Sequence, residues 1–164
     1  MGIFQLTLIA ATLLCSLVAG FLFAFTVVVM PGIGNLTDGE FLRAFQVMDR
    51  VIQNNHPVFM LVWVGSVVAL VAAAVLGFGR LDGIGRLLMI AAVLVYLLGV
   101  QLPTATINVP LNNTVQTLDI DAMEQTALET ARQDFESRWT YWNSVRTALA
   151  SLVTVLLIIL LLRL

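Results

Sequence analysis

Four runs of apolar residues, each near the length needed to cross a bilayer, leave this chain few folds to choose from. They cover about residues 3–30, 57–78, 86–102 and 146–162. A helical span needs about 20 apolar residues at a rise of about 1.5 Å each. In hydrocarbon every backbone N–H and C=O must find a partner inside the protein, so such runs become helices. A water-soluble bundle would carry a polar stripe along each helix, and residues 67–79 carry none. The sequence therefore predicts an all-α fold: one integral membrane domain over residues 1–164, built as a four-helix transmembrane bundle with two extramembrane amphipathic helices on one side.

Four spans put both termini and the link at 80–86 on one side of the membrane. The long links, 31–56 and 103–145, then share the other side. Arg80, Arg86 and Arg163 crowd the span ends on the short side, which predicts cytoplasmic termini. Arg43, Arg50, Arg132, Arg138 and Arg146 lie on the other side, so a raw count points the opposite way. The first run is too long, and too poor in basic residues at its start, for a cleavable signal.

Composition excludes several functions. All eight basic residues are arginines, and the net charge of -2 gives no footprint for nucleic acid. One His and one Cys, His56 and Cys15, cannot make a His/Cys metal cluster within one chain. No metal and no cofactor is expected. The spans hold almost no ionisable residues, which argues against ion-coupled transport.

The long links carry helix signals of their own. Pro31-Gly32-Ile33-Gly34 is expected to break the first span. Thr37 and Glu40 then have capping-box spacing. In the helix they start, Phe41, Phe45, Met48 and Ile52 recur on one face, and Gln46, Asp49 and Gln53 form a polar stripe on another. In the second link, Pro103 and Pro110 are expected to keep 102–113 from being one continuous helix. Asp121 and Glu124 repeat the capping-box spacing, predicting a helix from about Ala122. Its apolar ridge is Leu128, Phe135, Trp139 and Trp142, and it is expected to run into the last span, giving about 60 Å of helix. Gln5, Thr12 and Ser16 form a polar line on the first span, read as contacts between helices.

The most informative junction is residues 139–146, Trp-Thr-Tyr-Trp-Asn-Ser-Val-Arg, which leads into the last apolar run. On a helix, Trp139, Trp142, Asn143 and Arg146 share one face. Two aromatic rings, an amide and a permanent cation would line up at the membrane boundary. They are either interface anchors or the wall of a site for a flat, oxygen-bearing ligand.

Met30-Pro31-Gly32, Asn108-Val109-Pro110-Leu111-Asn112-Asn113 and the segment from Trp139 to Arg146 together resemble the anthrone oxygenase-like family. These are small four-span membrane proteins, mostly bacterial, whose fungal members convert anthrones to anthraquinones. The resemblance runs over nearly the whole chain in the same order. It implies a protein of the bacterial cytoplasmic membrane and a cofactor-independent oxidation of a lipophilic aromatic or quinone-like compound by molecular oxygen. Where such a family is expected to carry Asn before the proline opening the second span, this chain has His56.

That chemistry needs a base, donors for a developing oxyanion, and a dry aromatic slot. Trp139 and Trp142 are the candidate slot, with Asn112 and Asn143 as further substrate-binding residues. Arg146 and Asn108 are candidate oxyanion donors, and Asp49 or His56 the candidate base. Each also has a structural reading. Asn108, Asn112 and Asn113 would satisfy broken backbone, Arg146 would snorkel to water or pair with Asp49, and His56 would end a helix. Besides membrane lipids, the expected partners are a lipophilic aromatic small molecule or other membrane subunits. The alternative function is a non-catalytic membrane protein or accessory subunit. A closed pocket between the long links, lined by Trp139, Trp142, Asn108 and Arg146, would favour the enzyme, and solid packing there, with an apolar outer face buried on another protein, the subunit.

Overall fold

The computed structural model describes residues 2–164, and these form five helices without strands. We number them α1 (Ile3–Ile33), α2 (Asp38–Gln53), α3 (Pro57–Gly77), α4 (Gly83–Gln116) and α5 (Gln125–Leu162). All except α2 are long and apolar enough to cross a membrane. Their outer surface is a band of exposed Leu, Val and Ile, among them Leu13, Val68, Leu87 and Val155. Such a surface is stable only in lipid, so the chain is an integral membrane protein. Arg163 donates to Asp82 at 2.9 Å, and Gly2 lies beside Arg80. Both chain ends therefore meet the short turn between α3 and α4, and the long links gather at the opposite end.

Three prolines lie within helices, and none of them breaks one. The first span continues through Pro31 to Ile33, and α4 continues through Pro103 and Pro110 to Gln116. This corrects the breaks expected at 31–34 and 102–113. Each proline is preceded by a widened, π-helical stretch: Phe25–Val29, Val95–Gln101 and Thr104–Asn108. In each case the residue just before the proline donates to the carbonyl five positions back: Met30 to Phe25, Leu102 to Leu97 and Val109 to Thr104. A proline ring collides with the carbonyl four residues earlier and offers no N–H. The wider turn moves that carbonyl aside and keeps the neighbouring ladder paired. Gly99 sits in the second wide stretch, where a Cβ would stand 2.6 Å from Leu149 Cδ1, so it lets α4 and α5 approach closely.

At the long-link end, α2 lies across the bundle. Its start is capped as expected, with the Thr37 N–H donating to Glu40 Oε2 at 3.1 Å and the Thr37 hydroxyl at 2.7 Å. Arg132 on α5 holds this start in place. It donates to the Gly34 carbonyl at 2.8 Å and the Leu36 carbonyl at 2.9 Å, and its guanidinium lies 4.5 Å from the Phe41 ring. Asp121 does not cap a helix. It pairs with Arg43, and α5 starts later, with Glu124 as N-cap. From there α5 runs unbroken for 38 residues, about 57 Å. Its first half is thus the second extramembrane helix, continuous with the last span.

Two cores result. One fills the bundle with Leu8, Cys15, Val18, Leu70, Tyr96 and Leu157. The other lies under α2 with Phe41, Phe45, Val115, Phe135 and Trp139. The polar line of Gln5, Thr12 and Ser16 does not join helices. Thr12 and Ser16 donate back to carbonyls of α1, and Gln5 accepts from the Gly2 amide. Side-chain hydrogen bonds between α1 and α5 are made instead by Thr26, Asn143 and Thr147.

Candidate functional site

On α5, Trp139, Asn143 and Arg146 are all buried. Residues four and seven positions beyond Trp139 lie about 40° and 20° from it around the helix, on opposite sides, whereas the third lies about 60° away. The stripe is therefore narrower than its spacing suggests, and Trp142 falls at its edge. It is half-exposed and meets Tyr141 edge-on, with ring centroids 5.7 Å apart.

The facing wall comes from α4. Thr104, Asn108 and Asn112 recur every four residues, and each reaches α5. Arg146 Nη1 donates to Thr104 Oγ1 at 2.8 Å, Asn108 Nδ2 donates to the Trp139 carbonyl at 3.2 Å, and the Trp139 indole N–H donates to Asn112 Oδ1 at 2.7 Å. The second guanidinium nitrogen of Arg146 donates to Asn143 Oδ1 at 3.0 Å. Asn143 in turn donates to Thr26 Oγ1 at 2.8 Å and to the Leu22 carbonyl at 3.0 Å on α1.

The third wall is the polar stripe of α2. Gln46, Asp49 and Gln53 turn toward α4. Gln46 donates to the carbonyls of Val115 and Leu118. Asp49 is 3% exposed and accepts from Asn112 at 2.7 Å, Gln116 at 3.0 Å and Gln53 at 3.2 Å. A carboxylate has about four acceptor positions, so side-chain amides fill most of them and leave room for one more donor.

These walls enclose a cavity of about 240 Å³, slightly below the range of small-molecule pockets, which begins at about 300 Å³. Phe21, Phe25, Phe45, Phe59, Trp63 and Trp139 give it aromatic sides. Arg146 is 3% exposed, and among the described residues it has no carboxylate partner. Its Nε has no hydrogen-bond partner, nor has Asn108 Oδ1. A buried ion without a partner of opposite charge costs several kcal/mol. One cavity is thus lined by the side chains of Asp49, Arg146 and Asn108, with Arg146 Nε and Asn108 Oδ1 themselves buried. Asp49 and Arg146 are bound to Asn112 and Thr104, two turns apart on α4, or about 12 Å along its axis. The ion pair between them that the sequence allowed is absent.

Of the residues singled out in the sequence, Arg146, Asn108, Asp49, Trp139, Asn112 and Asn143 line this cavity, and His56 and Trp142 do not. His56 is exposed and precedes Pro57 as the N-cap of α3. None of the asparagines repairs broken backbone, because the helix is unbroken. Asn113 instead accepts from Gln53 at 2.9 Å. Sequence reading missed Thr104, Gln116 and the phenylalanines. The four-residue spacing of Thr104, Asn108 and Asn112 was a usable signal, hidden by the assumption that Pro103 and Pro110 end the helix.

A family model described as Anthrone oxygenase matches residues 48–156, more than half of the chain. That stretch contains Asp49 and the α4 and α5 walls of the cavity, and leaves out α1. No curated protein and no solved structure matches. With its four apolar helices and the match over most of its length, the chain belongs to the anthrone oxygenase family.

Proposed function

We propose that this protein oxidises a flat, lipophilic aromatic ketone or phenol of the anthrone type with molecular oxygen, in the cavity between α2, α4 and α5. The observation that carries this reading is the placement of Asp49 and Arg146, unpaired with each other, toward opposite ends of one aromatic-walled cavity. In an anthrone the acidic CH2 and the ring carbonyl lie across the central ring. A base and an oxyanion donor must therefore stand on opposite sides of the ligand.

In this mechanism the Asp49 carboxylate takes a proton from the CH2 group. The resulting charge spreads to the ring oxygen, which the Arg146 guanidinium stabilises from the cavity wall. The electron-rich carbon reacts with O2, and the hydroperoxide formed there loses water as the second C–H proton leaves. The balance is CH2 + O2 → C=O + H2O, with the substrate oxidised and oxygen reduced. Trp139 lies against one ring face, and the aromatic lining excludes water, which strengthens the Arg146 interaction. Trp139 takes the stacking role for which Trp142 is not placed.

The test follows oxygen uptake and quinone absorbance with anthrone and the protein in bilayer discs, against the rate in buffer. Arg146→Lys keeps the charge but loses the planar fork, and Asp49→Asn removes the base. Turnover above buffer that both variants abolish supports the reading. A wild-type rate equal to buffer leaves the accessory-subunit reading ahead.

A further inference from the structure

Two sides of the cavity differ in chemistry. Toward the long-link end side-chain amides stand across it, with the exposed Gln53 and Asn55 at the rim. Gln53 donates to Asn113 at 2.9 Å, and Asn112 and Gln116 both donate to Asp49. These bonds tie the last turns of α2 to the last turns of α4. Toward the bilayer, α3 and α4 flank the cavity without packing on each other. Near the short turn they are adjacent, the approach of α3 being confined mainly to Gly83–Leu94 of α4. Midway, the Ser66 hydroxyl still meets the Tyr96 hydroxyl at 2.6 Å. Above that level α3 stays packed along α1, while its backbone has parted from α4.

The edges of this gap are Phe59, Met60 and Trp63 on α3, all half-exposed, and Val109 on α4, which is 40% exposed. All four also line the cavity. His56 lies one turn beyond Met60 at the start of α3, and the four edge residues themselves are apolar. The gap is therefore an apolar opening on the outer face of the bundle, near the long-link ends of α3 and α4.

We infer that this gap is a lateral portal, through which flat lipophilic molecules dissolved in the bilayer enter edge-first between α3 and α4. The identity of the molecule rests on the proposed function, but the route does not. An apolar aromatic partitions into the membrane, so the bilayer is where it is concentrated. Entry from water would require parting the amides that bond the buried Asp49. Entry from lipid displaces only Met60, an unbranched side chain that changes shape easily, and Val109. A flat ligand sliding in at this depth meets Arg146 at its leading edge.

Two measurements test the route. The first needs no substrate. In liposomes, a form with Trp139 as its sole tryptophan (Trp63→Phe, Trp142→Phe) is quenched by a nitroxide-bearing hydrocarbon dissolved in the bilayer, or by acrylamide in the water. The hydrocarbon is expected to quench Trp139 and acrylamide is not. Val109→Phe should suppress the hydrocarbon quenching, and Asn113→Ala, which loosens the amides at the long-link end, should not alter it. Quenching chiefly by acrylamide, or by neither agent, would overturn the portal. The second follows binding of 9,10-anthraquinone by stopped flow, where Val109→Phe should slow association by about tenfold, within the range seen among variants of one site. If Val109→Phe is too unstable to purify, Met60→Phe narrows the other edge and is read the same way. Anthraquinone that binds the variant as fast as wild type removes the portal and leaves the proposed function standing. Selective hydrocarbon quenching with no anthraquinone binding keeps the portal and removes the proposed ligand class.

Discussion

The two ends of the bundle are built to different rules. At the short-turn end, α1, α3, α4 and α5 pack through Leu8, Ala11, Leu70, Ala73 and Leu157 on regular α-helical backbone. Toward the long links, α1 and α4 carry three proline-linked wide turns, and nearly all the buried polar side chains gather there, including Arg146, Asp49, Asn108 and Asn143. Ser66 is the buried polar residue that lies deeper, and it is paired with Tyr96. Irregular backbone and buried polar groups are costly in a bilayer. This chain confines them to the end that surrounds the cavity, so one half is apolar scaffold and the other holds the buried polar groups.

The comparison breaks first, and most visibly, at Arg146. Arg146→Lys is expected to lower turnover about 10²–10³-fold, the loss typical of a preorganised oxyanion donor, with little change in melting temperature in detergent. A variant that melts far below wild type would move Arg146 to the scaffold side of the divide. Next in size is the opposite result at the other end. Leu70→Ala is expected to cost about 2–5 kcal/mol of stability while the protein that remains folded turns over normally, measured as activity per folded molecule. Lost activity there would mean that the two ends are mechanically coupled.

Asn108→Ala sits between these cases. It removes the hydrogen bond to the Trp139 carbonyl and is expected to cost about 1 kcal/mol, read as a lower melting midpoint. The smallest effect concerns the start of α2. The Thr37 hydroxyl, and then the Thr37 amide, hold the Glu40 carboxyl below its usual value. The cap is therefore fully formed above the unfolded carboxyl value and is lost as pH falls through the depressed folded one. Amide exchange in the first turn of α2 should rise as that acid range is crossed, while exchange around Leu70 stays unchanged.

Sequence reading located the scaffold better than the site. Four apolar runs of span length fix the helices because bilayer thickness is a hard constraint, and Thr37 with Glu40 fixes the start of α2 by local bonding alone. Trp139, Asn143 and Arg146 were also visible, because their spacing lies within one helix. Three things were not. Continuity through Pro31, Pro103 and Pro110 depends on wide turns, which proline rules based on regular α-helix do not contain. The stripe of Gln46, Asp49 and Gln53 has the same periodicity whether it faces water or another helix, so its docking on α4 could not be read. Asp121 and Glu124 have the spacing of a capping box, but Arg43, distant in sequence, takes Asp121 instead.

The most direct test of the account is the structure of the protein in a bilayer disc with 9,10-anthraquinone bound. The account predicts the ligand inside the cavity, a face against Trp139, and one carbonyl oxygen about 3 Å from the Arg146 guanidinium, within hydrogen-bond reach. Anthraquinone on the outer lipid-facing surface, with the cavity filled by a lipid chain and Arg146 untouched, would contradict it.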